Sequence, residues 1–226
     1  RVGIGNRFSN SFHMQQSLAT YQQTLNEPLF TAVSNSDKIN ISQFEYYNRM
    51  MINLDRRWQL KAAYHYLYTP FNNFTYQNHL LLAGVKYYGG YFDIQADAII
   101  GRLTDTATKQ YNFQLGFYPF GNLNLYSFST ASVRQRQGSA FNFRQVLGAK
   151  VYKNSWLEGN ITLGRFQSLA ENDALYVYNS VDPDKMKAGI TGYFIFGKTI
   201  AQLGYTFEQK EFFGTTNTYN QHSITG

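Results

Sequence analysis

At 226 residues the chain is long enough for one domain and short for two. It has no cysteine, which excludes a disulfide framework, a thiolate metal site and a thiol nucleophile, and its net charge of +6 is not gathered into a Lys/Arg patch of the kind that binds nucleic acid. Aromatics make up 18% and charged residues only 15%, with a mean hydropathy of −0.40, so the polarity comes from Asn, Gln, Ser, Thr and Tyr rather than from the charges on which a soluble surface leans.

Period-two alternation runs through the chain and helical periodicity is nearly absent. A first strand is predicted near 2–20, then a loop over 21–38 and a strand near 39–55, closed by the tight turn Asp55-Arg56-Arg57. The next strand alternates most clearly. Trp58, Leu60, Ala62, Tyr64, Tyr66 and Tyr68 share one face, and Gln59, Lys61, Ala63, His65 and Leu67 the other. A loop at 69–75 leads to a strand near 76–88 and the turn Gly89-Gly90. From Tyr91, the face with Phe92, Ile94, Ala96, Ala98 and Ile100 opposes Asp93, Gln95 and Asp97. After a loop at 104–108, the strand from Lys109 to Tyr118 sets Tyr111, Phe113, Leu115 and Phe117 against Asn112, Gln114 and Gly116. Beyond Pro119-Phe120-Gly121-Asn122, strands are predicted near 123–135, 141–152 and 156–169, separated by a loop at 135–140 and a turn at Lys153-Asn154-Ser155. A loop at 169–184 precedes strands near 185–196, 199–211 and 219–226, with Gly197-Lys198 and a loop at 212–218 between them.

About 12 strands, joined alternately by short turns and longer loops, predict a single all-β domain: a closed, antiparallel, up-and-down transmembrane β-barrel, with periplasmic turns and extracellular loops. Two aromatic belts support this. Trp58, Tyr87, Phe92, Phe117, Trp156 and Phe194 stand beside short turns, and Tyr68 and Tyr111 nearer the loops. The stretch from Trp58 to Tyr68 would rise ~25 Å at a tilt of ~40°, the height of an outer-membrane apolar band. A soluble sandwich or propeller also alternates, but it does not predict two belts. No run of ~20 apolar residues is present, so no spanning helix is predicted. The chain starts at Arg1 inside one strand pattern and stops at Gly226 inside another. A longer parent chain is therefore expected, with both ends on the periplasmic side.

The run Tyr118-Pro119-Phe120-Gly121-Asn122-Leu123-Asn124-Leu125-Tyr126, the Tyr/Phe/Asn/Gln-rich strands and turns such as Phe196-Gly197-Lys198 resemble outer-membrane β-barrel proteins of the Bacteroidota. The resemblance covers nearly the whole chain and is generic. It implies a bacterial outer-membrane location and one of three roles: passive channel, lipid-facing scaffold, or subunit of a transport, secretion or barrel-assembly machine. Asp105-Thr106-Ala107 is similar to the O-glycosylation acceptor of that phylum, which would make Thr106 the modified residue.

Few constellations could carry chemistry. Barrel lipid hydrolases place His and Ser two apart on one strand face. No His here has Ser two positions later. Ser11 precedes His13 by two in the reverse order, without an orienting carboxylate. Asp93 and Asp97 share a face, but Lys61, Lys86 and Arg49 occupy the polar faces of preceding strands. With Asp55 they are expected to form a lumen charge network that braces the barrel rather than a catalytic pair. Glu171, Asp173, Asp182 and Asp184 are expected as solvated charges of an external loop. No metal-ligand spacing or phosphate-binding loop is present, so no metal or cofactor is expected.

These readings predict a non-enzymatic scaffold or accessory subunit of a cell-envelope complex. Outer-membrane lipid, lipopolysaccharide and other outer-membrane proteins would be its partners. The alternatives are a narrow porin-like channel for small solutes and, a distant third, a barrel-embedded lipid hydrolase. The partner surface is expected to be either the long external loops or part of the outer wall, where 123–133 is the best candidate, since neither of its faces is a clean apolar stripe.

Overall fold

A computed structural model describes residues 2–9, 11–25, 39–71, 74–103, 105–177, 183–197, 199–212 and 216–226. Those residues form fifteen strands and no helix. In chain order they are β1 (Val2–Arg7), β2 (Phe12–Leu25), β3 (Ile39–Asn53), β4 (Trp58–Phe71), β5 (Phe74–Tyr88), β6 (Phe92–Leu103), β7 (Thr106–Phe117) and β8 (Leu125–Gln135). They continue with β9 (Ser139–Tyr152), β10 (Ser155–Gly164), β11 (Ala170–Glu171), β12 (Tyr176–Val177), β13 (Asp184–Phe196), β14 (Thr199–Glu211) and β15 (Thr218–Thr225). Thirteen make one antiparallel sheet in which sequence neighbours pair throughout, β13 following β10; β11 and β12 pair only with each other. Among the described residues no backbone pairing joins β1 to β15.

The alternation read from the sequence sets the two faces. On β4, Lys61, Ala63, His65 and Leu67 are buried while Ala62 between them is exposed. On β6, Asp93, Gln95, Asp97 and Ile99 are buried and Ala96, Ala98 and Ile100 are exposed. The sheet curls strongly toward the buried face. In a flat sheet β3 and β9 would lie ~29 Å apart, at ~4.8 Å per strand. Yet Arg49 on β3 bonds Asp173, and Arg144 on β9 bonds the adjacent Asn172. One short segment therefore touches both sides of the concave face.

The structure corrects several expectations. The stretch 2–20 is two strands, because the Ser9 hydroxyl accepts the amides of Ser11 and Phe12 and ends β1 in a turn. The main sheet thus has thirteen strands, not twelve. Ser11 falls in that turn and not on the strand that carries His13, so they share no strand face. The loops expected at 69–75, 104–108 and 135–140 shrink, because pairing runs to Phe71/Phe74, Leu103/Thr106 and Gln135/Ser139. Asp105 and Gln137 adopt left-handed backbone angles that close two of these hairpins. The 118–124 connection at the other end is longer than either, so strict short/long alternation does not hold. β10 stops at Gly164, and the chain then crosses the concave face instead of leaving as an external loop. Most of the loop expected at 21–38, together with Asp182 and Lys198, lies outside the described residues.

Candidate functional site in the concave face

The segment after β10 forms a small hairpin, β11 and β12, that fills much of the concave side. Ala170 and Ala174 pack against Tyr47, Ala63, Leu80, Leu82, Ile99 and Leu103 as one apolar cluster. Polar contacts pin the hairpin to strand after strand. The Tyr47 hydroxyl donates to the Asp173 carbonyl at 3.0 Å, and His65 Nδ1 lies 2.7 Å from the Ala174 carbonyl. Gln110 on β7 bonds Ala170 twice, donating to its carbonyl at 2.7 Å and accepting from its amide at 3.0 Å. Arg134 on β8 donates to the Gln167 carbonyl, and Arg136 to the Ser168 hydroxyl.

Asp173 is the hub. One carboxylate oxygen takes Arg49 Nη1 at 2.6 Å; the other pairs with Lys61 Nζ and accepts from Gln95 Nε2 at 3.2 Å. Lys61 also reaches Asp97 at 3.2 Å, with both side chains nearly sealed from solvent. A second pair lies toward the other end of the concave face: Lys86 Nζ is 2.8 Å from Asp93, which also accepts from the Tyr118 hydroxyl at 2.6 Å. Thus Arg49, Lys61, Lys86, Asp93 and Asp97 all sit in interior ion pairs. Asp55 does not. It is fully exposed in the β3–β4 turn, where its carboxylate accepts the amides of Arg57 and Trp58, each at 2.7 Å. The Arg57 amide first and the Trp58 amide second hold its pKa below the ordinary value.

Asp173 is the residue that sequence reasoning misplaced. It was expected in solvent, yet it occupies the middle of the network, and Asp184, expected there too, is buried beside Lys210 at 3.5 Å. Burial pushes the Asp173 carboxyl up, but the charges and hydrogen bonds of Lys61 and Arg49 together pull harder and hold it below its ordinary 3.8. A carboxyl depressed in the folded state adds stability above its unfolded pKa and loses it as pH falls through the folded value. Acidification below about pH 4 will therefore loosen the hairpin, read as protease cleavage within 166–177, and Asp173→Asn will flatten that pH dependence.

Glycine makes room for these carboxylates. Gly84 lies directly opposite both Lys61 and Asp97. A Cβ there would collide with the Asp97 carboxylate. Gly84→Val should cost about 1–3 kcal/mol, as overpacking does. Gly159→Ala, where nothing lies within 4 Å of the added carbon, should be near neutral in the same thermal melts.

Beside the network lies a cavity of about 340 Å³ between the hairpin and the wall. Two lateral rungs of polar side chains line it. One runs through the cross-strand partners Asp97, Asn112, Ser132 and Asn142. The next runs through Gln95, Gln114, Thr130, Arg144 and Thr162.

On the convex face, the Trp58 and Tyr87 rings meet at a tilt with centroids 4.9 Å apart, and Tyr87 and Phe92 likewise at 6.1 Å, while Phe92 is the cross-strand partner of Phe117. Tyr68, Tyr111 and Phe194 share that face. Trp156 does not: counting back in twos from buried Thr162 places it on the concave side. There its Nε1 donates to the Leu123 carbonyl at 2.9 Å and Lys150 lies over its ring. Thr106 is half-buried at the start of β7, in the tight β6–β7 hairpin. The chain matches no protein-family model and no curated protein sequence.

Proposed function

We propose that this chain forms the wall of a β-barrel in a bacterial outer membrane, filled by its own hairpin, and serves as a non-catalytic scaffold or accessory subunit of an envelope complex. The supporting observation is its inverted polarity. Charged and amide side chains line the concave face. On the convex face Leu81, Ile100, Phe113, Leu115, Phe117 and Leu147 are 43–58% exposed. A water-soluble protein rarely leaves so continuous an apolar surface uncovered, whereas lipid requires it. Lipid and lipopolysaccharide would then cover most of the wall. The strong curl is the curvature that closure requires, and the thirteen strands would form most or all of the barrel circumference.

The accessory role rests on two features. The hairpin occupies the lumen, which disfavours free passage of solute. The wall also carries a polar seam: Ser127 and Ser129 face outward from β8, and Gln145 bridges them, donating to Ser127 at 2.7 Å and accepting from Ser129 at 2.6 Å. Hydroxyls and an amide gain nothing from lipid but suit contact with another protein. The channel reading draws on the 340 Å³ cavity, which a moving hairpin could join to solvent.

Purification from native membranes followed by planar-bilayer recording separates the two. The scaffold predicts little current and one or more outer-membrane proteins retained in fixed stoichiometry, lost when Gln145→Leu and Ser129→Leu are combined. Steady conductance from a preparation with no retained partner would replace the scaffold by the channel.

A further inference from the structure

The polar cavity is walled in part by the ionic network, whose own bonds leave it unfilled. At about 340 Å³ it falls at the small end of the ~300–1,000 Å³ typical of ligand sites. Its lining has unspent hydrogen-bonding capacity. Asn142 is 2% exposed, and neither its amide nitrogen nor its amide oxygen has a hydrogen-bond partner among the described residues. Buried amides are normally satisfied, so such a group in a cavity wall marks a place where something else completes the bonds. Thr162, also 2% exposed, lies on the neighbouring strand directly opposite Arg144, whose guanidinium spends one bond on Asn172 at 3.0 Å. Arg49 Nε, on the far wall, is likewise unpartnered.

The charge pattern narrows the ligand. Of the lining residues, Arg49 and Arg144 stand against Asp97, Asp173 and Glu171, and Lys61, behind the lining and paired with both aspartates, supplies the third positive charge. The site therefore offers many donors and acceptors with its charges balanced. An amide sets a donor and an acceptor side by side, and a vicinal diol returns an acceptor and a donor at matching spacing. We propose that this cavity binds one small, uncharged, polyhydroxylated molecule of monosaccharide size, with the Asn142 amide bonded to two neighbouring hydroxyls. Among the described residues no aromatic ring lines the cavity, so binding rests on hydrogen bonds, and its affinity should be modest, about millimolar. The site depends on the concave face alone. It stands or falls separately from the membrane partner and from conduction.

The test uses the whole protein in detergent. D-glucose, D-galactose and D-mannose serve as probes by saturation-transfer NMR, with glycine and succinate as charged probes. At least one sugar should bind saturably. Asn142→Leu should weaken that binding about tenfold and the near-isosteric Thr162→Val by several-fold, with Gly159→Ala, whose added carbon meets nothing within 4 Å, leaving it unchanged. Thr162→Val keeps the test open if Asn142→Leu fails to fold. A folded protein that binds none of the sugars has a merely hydrated void, and the proposal fails. It also fails if succinate or glycine binds in preference to the sugars, or if both interior variants bind like the parent.

Discussion

Replacing Asp173 by alanine will free the hairpin from the wall and cost about 3 kcal/mol of stability, toward the lower end of what breaking a buried ion pair costs. The carboxylate serves two cations on different strands, Arg49 on β3 and Lys61 on β4. Its loss leaves Arg49 unmatched in the interior. Lys61 retains Asp97, which limits the damage. Backbone strain acts in the same direction. Asn172, Asp173 and Ala174 all have left-handed angles, with φ of 51°, 58° and 64°. For Ala174 that conformation costs roughly 1–2 kcal/mol, and it persists because the flanking contacts hold it. Once the anchor is gone, the three residues can relax and the hairpin should swing away from the concave face. Three measurements follow: a lower thermal midpoint, new protease cleavage within 166–177, and more frequent open events in planar bilayers. Asp173→Asn should fall between parent and alanine variant, since it keeps hydrogen bonds and loses charge. An alanine variant as stable and as protected as the parent would show that the apolar packing of Ala170 and Ala174 and the remaining hydrogen bonds, not the Asp173 carboxylate, hold the hairpin.

The interior pairs were legible in the sequence because they depend only on strand period. Once β4, β5 and β6 are strands, Lys61, Lys86, Asp93 and Asp97 must share a face, and adjacent strands bring them within reach. Asp173 was not legible, because its place depends on where a loop folds back, and no local periodicity encodes that. Its neighbours Leu169, Ala170, Ala174 and Leu175 carried a faint signal: apolar residues are odd company for a solvated loop. Trp156 was misread for a different reason. It was assigned by nearness to a turn, when counting in twos along β10 would have turned it inward. The split between β1 and β2 was also hidden, since Phe8 and Phe12 continue an apolar rhythm across the serine turn that divides them. Belts and turns are properties of short segments, whereas the filled interior is a property of the whole sheet.

An arginine scan along the convex face of β6 should give a depth profile. Phe92, Ile94, Ala96, Ala98 and Ile100 form one outward column, with Phe92 in the cluster of rings near the turns. If lipid covers this column, Arg at Ala96, near its middle, must drag a guanidinium toward the hydrocarbon centre at a cost of ~2–4 kcal/mol, while Arg at Phe92 should cost little beyond the lost ring contact with Tyr87. The neighbours of Ala96 offer no relief. Its cross-strand partners are Val85 and Phe113, and Phe113 is itself exposed on the convex face. The same column ends at Arg102, which is already a cation beyond Ile100. A further charge there should be tolerated, as at a lipid–water boundary where long basic side chains reach the headgroups. The measurement is unfolding free energy in liposomes for each variant. A maximum at Ala96 that falls off in both directions is the expected result. A flat profile would mean that water or protein, and not lipid, meets this face. The apolar column would then have to be read as a solvent-facing surface or an interface with another protein.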